Sequence, residues 1–137
     1  MNYTVYKKDT GEIVNNLFCN NISQQQIPES QDYIEGSYSH DFYYIENKKP
    51  IFISLKPEGK YYVFNFNTKE WVLDSNLAIK DVLPKRSNLL YLSDWTQLPN
   101  GPLTQQQQEA WAVYRQELRD IPQQSGYPFN VVFPTPP

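Results

Sequence analysis

The apolar residues of this chain change their spacing once, near residue 74, and that change limits what the chain can fold into. Before it, apolar side chains recur at every second position in short runs separated by polar turns, the pattern of half-exposed strands. After it they recur at three and four positions, the pattern of helices with one apolar stripe. The expectation is an α+β chain, with a β-rich domain over residues 1–74 and a helical domain over 75–137.

In the first part, Asn2–Lys7 and Glu12–Phe18 flank Lys8-Asp9-Thr10-Gly11. Asp9 and Gly11 suit a tight hairpin turn, with Gly11 at positive φ. Ile13, Asn15 and Leu17 alternate against Val14, Asn16 and Phe18, so both faces are partly apolar and the buried one stays open. Residues 20–30 read as a polar connection. Tyr33–Ile34 follows, then a second hairpin from Phe42–Ile45 and Ile51–Leu55, with Ile51, Ile53 and Leu55 on one face. Tyr61–Phe66 and Glu70–Leu73 make a third around Asn67-Thr68-Lys69. Pro50 is confined to a strand start or an edge. These strands predict an antiparallel β-meander of short hairpins.

Beyond Asp74, Ser75 or Asn76 can cap a helix. Ile79, Val82, Leu83, Arg86, Leu89, Leu90 and Ser93 fall at helical spacing. Because Pro84 is tolerated in a first helical turn, the spacing predicts a helix from about Val82 to Asp94 after a less regular lead-in. Trp95 to Pro102 reads as a loop. Thr104 and Gln107 form a capping box. Trp111, Tyr114, Leu118 and Ile121 then give one stripe, with Arg115, Gln116, Glu117 and Arg119 largely off it, and Pro122 stops the helix. Together the two helices predict a helical hairpin. The Pro-rich tail Gly126–Pro137 carries Tyr127, Phe129, Val131, Val132 and Phe133, too apolar to float, so it runs extended across its own helices or a partner.

Composition narrows the function. The chain has 137 residues, with 12 Lys+Arg against 15 Asp+Glu and no basic stripe, so a nucleic-acid partner is not expected. Cys19 has no second cysteine for a disulfide. No apolar run follows Met1 to make a signal peptide, and no segment is apolar enough to span a membrane. These features fit folding in a reducing cytoplasm. His40-Asp41 lacks a nucleophile context, and no metal spacing, phosphate loop or acid pair stands out. The expectation is therefore no enzyme, no catalytic residue, no cofactor and no metal. The 11 Tyr residues suit half-buried sheets and protein contacts.

Several blocks of the second half form a recognisable set. Lys85-Arg86-x-x-Leu89-Leu90 leads to Ser93-Asp94-Trp95-Thr96-Gln97-Leu98-Pro99 and Pro102-Leu103. Trp111-x-x-Tyr114-Arg115-Gln116-x-Leu118-Arg119-Asp120-Ile121-Pro122 follows, then Gly126-Tyr127-Pro128 and Val131-x-Phe133-Pro134. From about Asp81 to Pro137 this resembles the bacteriophage tail assembly chaperone family, whose members are often described as tail fibre assembly proteins. Many relatives carry Trp where this chain has Phe133 and Phe where it has Tyr127; both changes keep a large aromatic.

The resemblance implies a protein that binds the phage tail fibre and assists its folding, trimerisation or attachment, in the host cytoplasm during assembly. The alternative is a permanent virion component, a fibre-base or baseplate adaptor retained in the tail. A carbohydrate-binding module using exposed Tyr and Trp is a third reading. Candidate partner-binding residues are Trp95, Trp111, Tyr114, Arg115, Tyr127, Phe129, Phe133 and Pro134. Each has a plainer alternative: the tryptophans as core, Asp94, Arg115, Arg119 and Asp120 as one structural polar network, and the Pro-rich end as a frayed terminus. The other candidate surface is the edge of the tyrosine-rich sheet around Tyr33, Tyr38, Tyr43, Tyr44, Tyr61 and Tyr62. Homo-oligomerisation to match a trimeric fibre is compatible with this role.

Overall fold

In the computed structural model, which describes all 137 residues, strand β1 (Asn2–Lys7) lies between β2 (Ile13–Phe18) and β3 (Gln31–Glu35), antiparallel to both. Being central, β1 buries Thr4, Val5 and Tyr6 in succession. Thr4 Oγ1 donates to Asn16 Oδ1 (2.5 Å) and accepts from the Tyr38 amide (3.0 Å), so this buried hydroxyl is satisfied.

On β2 the alternation breaks. Val5 pairs with Asn15 but Tyr6 with Ile13, so Val14 is the extra residue of a β-bulge. The bulge turns Ile13 onto the face of Tyr6 and Ile34, where it is buried, and leaves Val14 and Phe18 exposed. Ile13 thus departs from the face of Asn15 and Leu17 that strict alternation assigns it.

Strands β4 (Tyr43–Glu46) and β5 (Lys49–Phe52) form a two-residue hairpin, with Asn47 and Lys48 both at positive φ. Pro50 sits in β5, an edge strand of this two-stranded sheet. Ile53 is buried, whereas Leu55, expected on the same face, lies past the strand end and is exposed. Strands β6 (Tyr62–Asn65) and β7 (Glu70–Leu73) make the third small sheet.

The three sheets meet at the β1–β2 turn. Gly11 has φ +71°, and its carbonyl accepts from the Ile45 amide of β4 at 2.8 Å. A Cβ there would lie 2.1 Å from the Ile45 oxygen, so only glycine fits. The neighbouring Thr10 carbonyl accepts from the Lys69 ammonium, which also sits 4.5 Å from the Tyr44 ring centre. Burial pulls the Lys69 pKa below the ordinary lysine value.

Helix α1 (Ser75–Leu92) is capped by Asp74, whose carboxylate accepts from the Asn76 and Leu77 amides. The cap is therefore Asp74 rather than Ser75 or Asn76. The helix also starts before Val82 and carries Pro84 in its interior. Proline interrupts the ladder locally, and the burial of Ala78 and Val82, both in the part of the helix that precedes it, offsets the loss. The helix ends at Leu92, and Asp94–Gln97 is a 3-10 turn where a loop is expected. Helix α2 (Gln105–Arg119) has both halves of the predicted capping box between Thr104 and Gln107. The chain divides into two compact units, Met1–Val72 and Leu73–Pro137.

Candidate functional site

The stripe of α2 builds the second unit's core. Tyr114, Leu118 and Ile121 are buried with Val82 of α1, and Leu89, Leu90 and Trp111 pack around them. The fold-back of the Trp111–Tyr114–Leu118 ridge onto the Leu89–Trp95 region is thus present, with the Trp95 and Trp111 rings 6.2 Å apart.

Two arginines lock this hairpin. Arg115, expected off the stripe, is only 8% exposed. It donates to the Leu90 carbonyl (2.7 Å), the Ser93 hydroxyl (2.8 Å) and the Asp94 carboxylate (2.7 Å). It thereby holds the C-terminal end of α1, which has no basic residue in its own last turn. Arg86 of α1 does the reverse, donating to the Leu118 carbonyl (2.8 Å) and the Arg119 carbonyl (3.3 Å) at the end of α2. The four-residue network expected from sequence is divided. Asp94 meets Arg115, Asp120 accepts instead from Gln116, and Arg119 offers its carbonyl to Arg86. Two glutamines add a second tie: Gln97 donates to the Gln108 carbonyl and Gln108 to the Leu98 carbonyl.

The tail crosses its own helices. Tyr127, Val131 and Phe133 pack against the core, and the Lys85 ammonium lies 4.2 Å from the Phe133 ring centre. Gln124 brackets Val132, donating to its carbonyl (2.8 Å) and accepting from its amide (2.9 Å), as a paired strand would. A Cβ on Gly126 would meet the Asn130 oxygen at 2.1 Å, so the Gly126–Asn130 turn requires glycine.

The sequence candidates fall into three groups. Tyr114 and Arg115 are buried framework. Trp111, Tyr127, Phe129, Phe133 and Pro134 are half-buried. Trp95 is 46% exposed, and Leu92 and Leu98 nearby are each 57% exposed. Beside them lies a cleft of about 160 Å³ lined by Leu89, Leu92, Ser93, Trp111, Tyr114 and Pro136. Sequence reasoning missed Leu92 and Pro136 as walls of this cleft, and it missed Arg86 as a helix cap. A charged residue at the apolar spacing of α1 was the available signal for Arg86.

In the first unit, His40 and Asp41 are both exposed on a turn, Nε2 to Oδ1 3.2 Å. Cys19 is free and half-buried. No group of three or more His, Cys, Asp or Glu gathers to hold a metal ion, and no helix is long and apolar enough to cross a membrane.

The second unit is thus a small helical hairpin strapped by its own C-terminal segment, with an aromatic corner left open. Residues 79–137 match the family model described as phage tail assembly chaperone protein, so this part of the chain is a phage tail assembly chaperone domain. That is a chaperone family and not an enzymatic one. No curated protein and no solved structure matches the chain.

Proposed function

We propose that the protein is a tail fibre assembly factor that binds the fibre through its Trp95–Trp111 corner and shields apolar or strand-edge surface there until the trimer closes. The observation that supports this most is Trp95 itself. It is a large ring, nearly half exposed, on a turn held by the Arg115–Asp94 pair and flanked by exposed Leu92 and Leu98. A rigidly mounted aromatic binds with little ordering cost and suits an interface anchor. Tyr114 and Arg115 support the corner from beneath, and Tyr127, Phe129, Phe133 and Pro134 extend it along the tail. The protein acts in the host cytoplasm, where fibres fold, with three copies per fibre by symmetry.

Co-expression with the fibre encoded by the same phage tests this. Wild-type protein raises the yield of soluble trimeric fibre and co-purifies with it, and Trp95→Ala reduces both while its circular dichroism stays unchanged. An unchanged trimer yield without the protein overturns the reading. Mass spectrometry of purified particles separates a helper, which is absent from them, from a permanent tail component at fixed copy number.

A further inference from the structure

The loop between the 3-10 turn and helix α2 holds the chain's only asparagine followed by glycine, Asn100-Gly101. The pair lies outside any helix or strand, with Pro99 and Pro102 on either side. Asn100 is exposed and sits at φ +59°, in the left-handed region that asparagine tolerates better than most residues. No hydrogen bond holds its carboxamide, and none holds the Gly101 N–H. Asn16, Asn21 and Asn65 differ, because their carboxamides accept hydrogen bonds from nearby groups. A carboxamide and the amide of the next residue can react with each other. The nitrogen must reach the side-chain carbon, which a side chain on the second residue hinders and a hydrogen bond on either group opposes. Glycine removes the first obstacle, and the open loop removes the second.

We infer that Asn100 is a site of spontaneous self-modification. The deprotonated Gly101 nitrogen bonds to Asn100 Cγ and closes a succinimide ring. The Cγ–Nδ2 bond breaks, and that nitrogen leaves as ammonia after taking a proton from water. Water then opens the ring. Opening at Cγ gives aspartate; opening at the main-chain carbonyl gives isoaspartate, in which the chain runs through the side-chain carbon. Water is the one co-reactant, and either product carries a new negative charge. Isoaspartate also lengthens the loop. Gln108 donates to the Leu98 carbonyl at 3.3 Å and Gln97 to the Gln108 carbonyl at 3.1 Å, while Thr104 caps α2 on the far side. An extra main-chain atom between these anchors shifts the turn that carries Trp95. The inference concerns the loop itself and stands whether or not the fibre is the partner.

The test incubates the full chain beside a synthetic peptide of residues 97–104, at neutral and at mildly alkaline pH. Peptide mapping by mass spectrometry follows conversion at each asparagine, and enzymatic methylation counts isoaspartate. The expected result is conversion at Asn100 ahead of every other asparagine, within about tenfold of the peptide's rate and faster at the higher pH. Asn100→Ser abolishes it. Gly101→Ala slows it about tenfold; the added Cβ would meet the Leu98 oxygen at 3.3 Å, a contact that a small shift relieves. The Trp95 indole resonance moves in the isoaspartate form and stays in place in Asn100→Asp, which adds the charge without the extra atom. Conversion slower than about tenfold below the peptide overturns the inference, because the fold then holds the two groups apart. So does faster conversion at another asparagine, indifference to Gly101→Ala, or an unmoved Trp95 resonance in the isoaspartate form.

Discussion

In the first unit the tie points are main-chain atoms gathered at one turn; in the second they are two arginines, each holding the C-terminal end of the other helix. The Thr10 and Gly11 carbonyls receive Lys69 and Ile45 from the other two small sheets. Arg86 and Arg115 instead reach across the hairpin, each to a carbonyl near the C-terminal end of the other helix. Both units have small cores, four clustered buried residues each. A core of this size rarely supplies more than about 3–5 kcal/mol, so polar ties decide whether the shape holds. The difference lies in how failure spreads. A fault at Gly11 strikes three sheets together, whereas a fault at one arginine leaves the other helix end tied.

The sharpest way to break this comparison is Gly11→Ala. It forces a side chain into positive φ and against the Ile45 oxygen, so the first unit should lose about 3 kcal/mol. Urea unfolding followed at the Trp71 indole reads this, with Trp95 and Trp111 reporting the second unit. A loss below about 1 kcal/mol would show that the turn is not the meeting point described. Next comes Arg115→Met, which keeps the aliphatic packing and removes the charge-assisted bonds. It should cost the second unit about 2 kcal/mol, and Arg115→Lys should not restore it, since one ammonium cannot replace the fork that spans Leu90, Ser93 and Asp94.

The smallest effect is at Asp32. Burial raises its carboxyl pKa, but the Tyr33 amide and the Lys48 ammonium outweigh burial and hold it below the ordinary value. A carboxyl depressed in the folded state contributes fully above its unfolded pKa of about 3.9, and that contribution is lost as pH falls through the folded value. Because Lys48 is exposed, Asp32→Asn should change neutral-pH stability by less than about 1 kcal/mol. It should flatten the acid limb of the first unit alone, as read from Trp71 unfolding below pH 4.

Features written in local chemistry were legible in the sequence. Thr104 with Gln107 announced the start of α2, and Asp9 to Gly11 announced the first hairpin, because each depends on residues a few positions apart. What was hidden depended on distant partners. The bulge at Val14 is set by how Ile13 meets Ile34 and Ile45, and the burial of Arg115 by three groups on another helix end. Pro84 misled because a local rule about proline yielded to the packing of Ala78 and Val82. Of the candidate site, the tryptophans stood out by type, but Leu92 and Pro136 meet only after the tail has returned across the hairpin.

The exchange of arginines between α1 and α2 also bears on how the hairpin forms. Neither helix ends on a glycine: Ser93 and Asp120 occupy those places. Each helix therefore borrows part of its terminator from its neighbour, and a damaged end on one is felt as fraying on the other. Docking and helix termination become a single event, and neither segment has a finished boundary by itself.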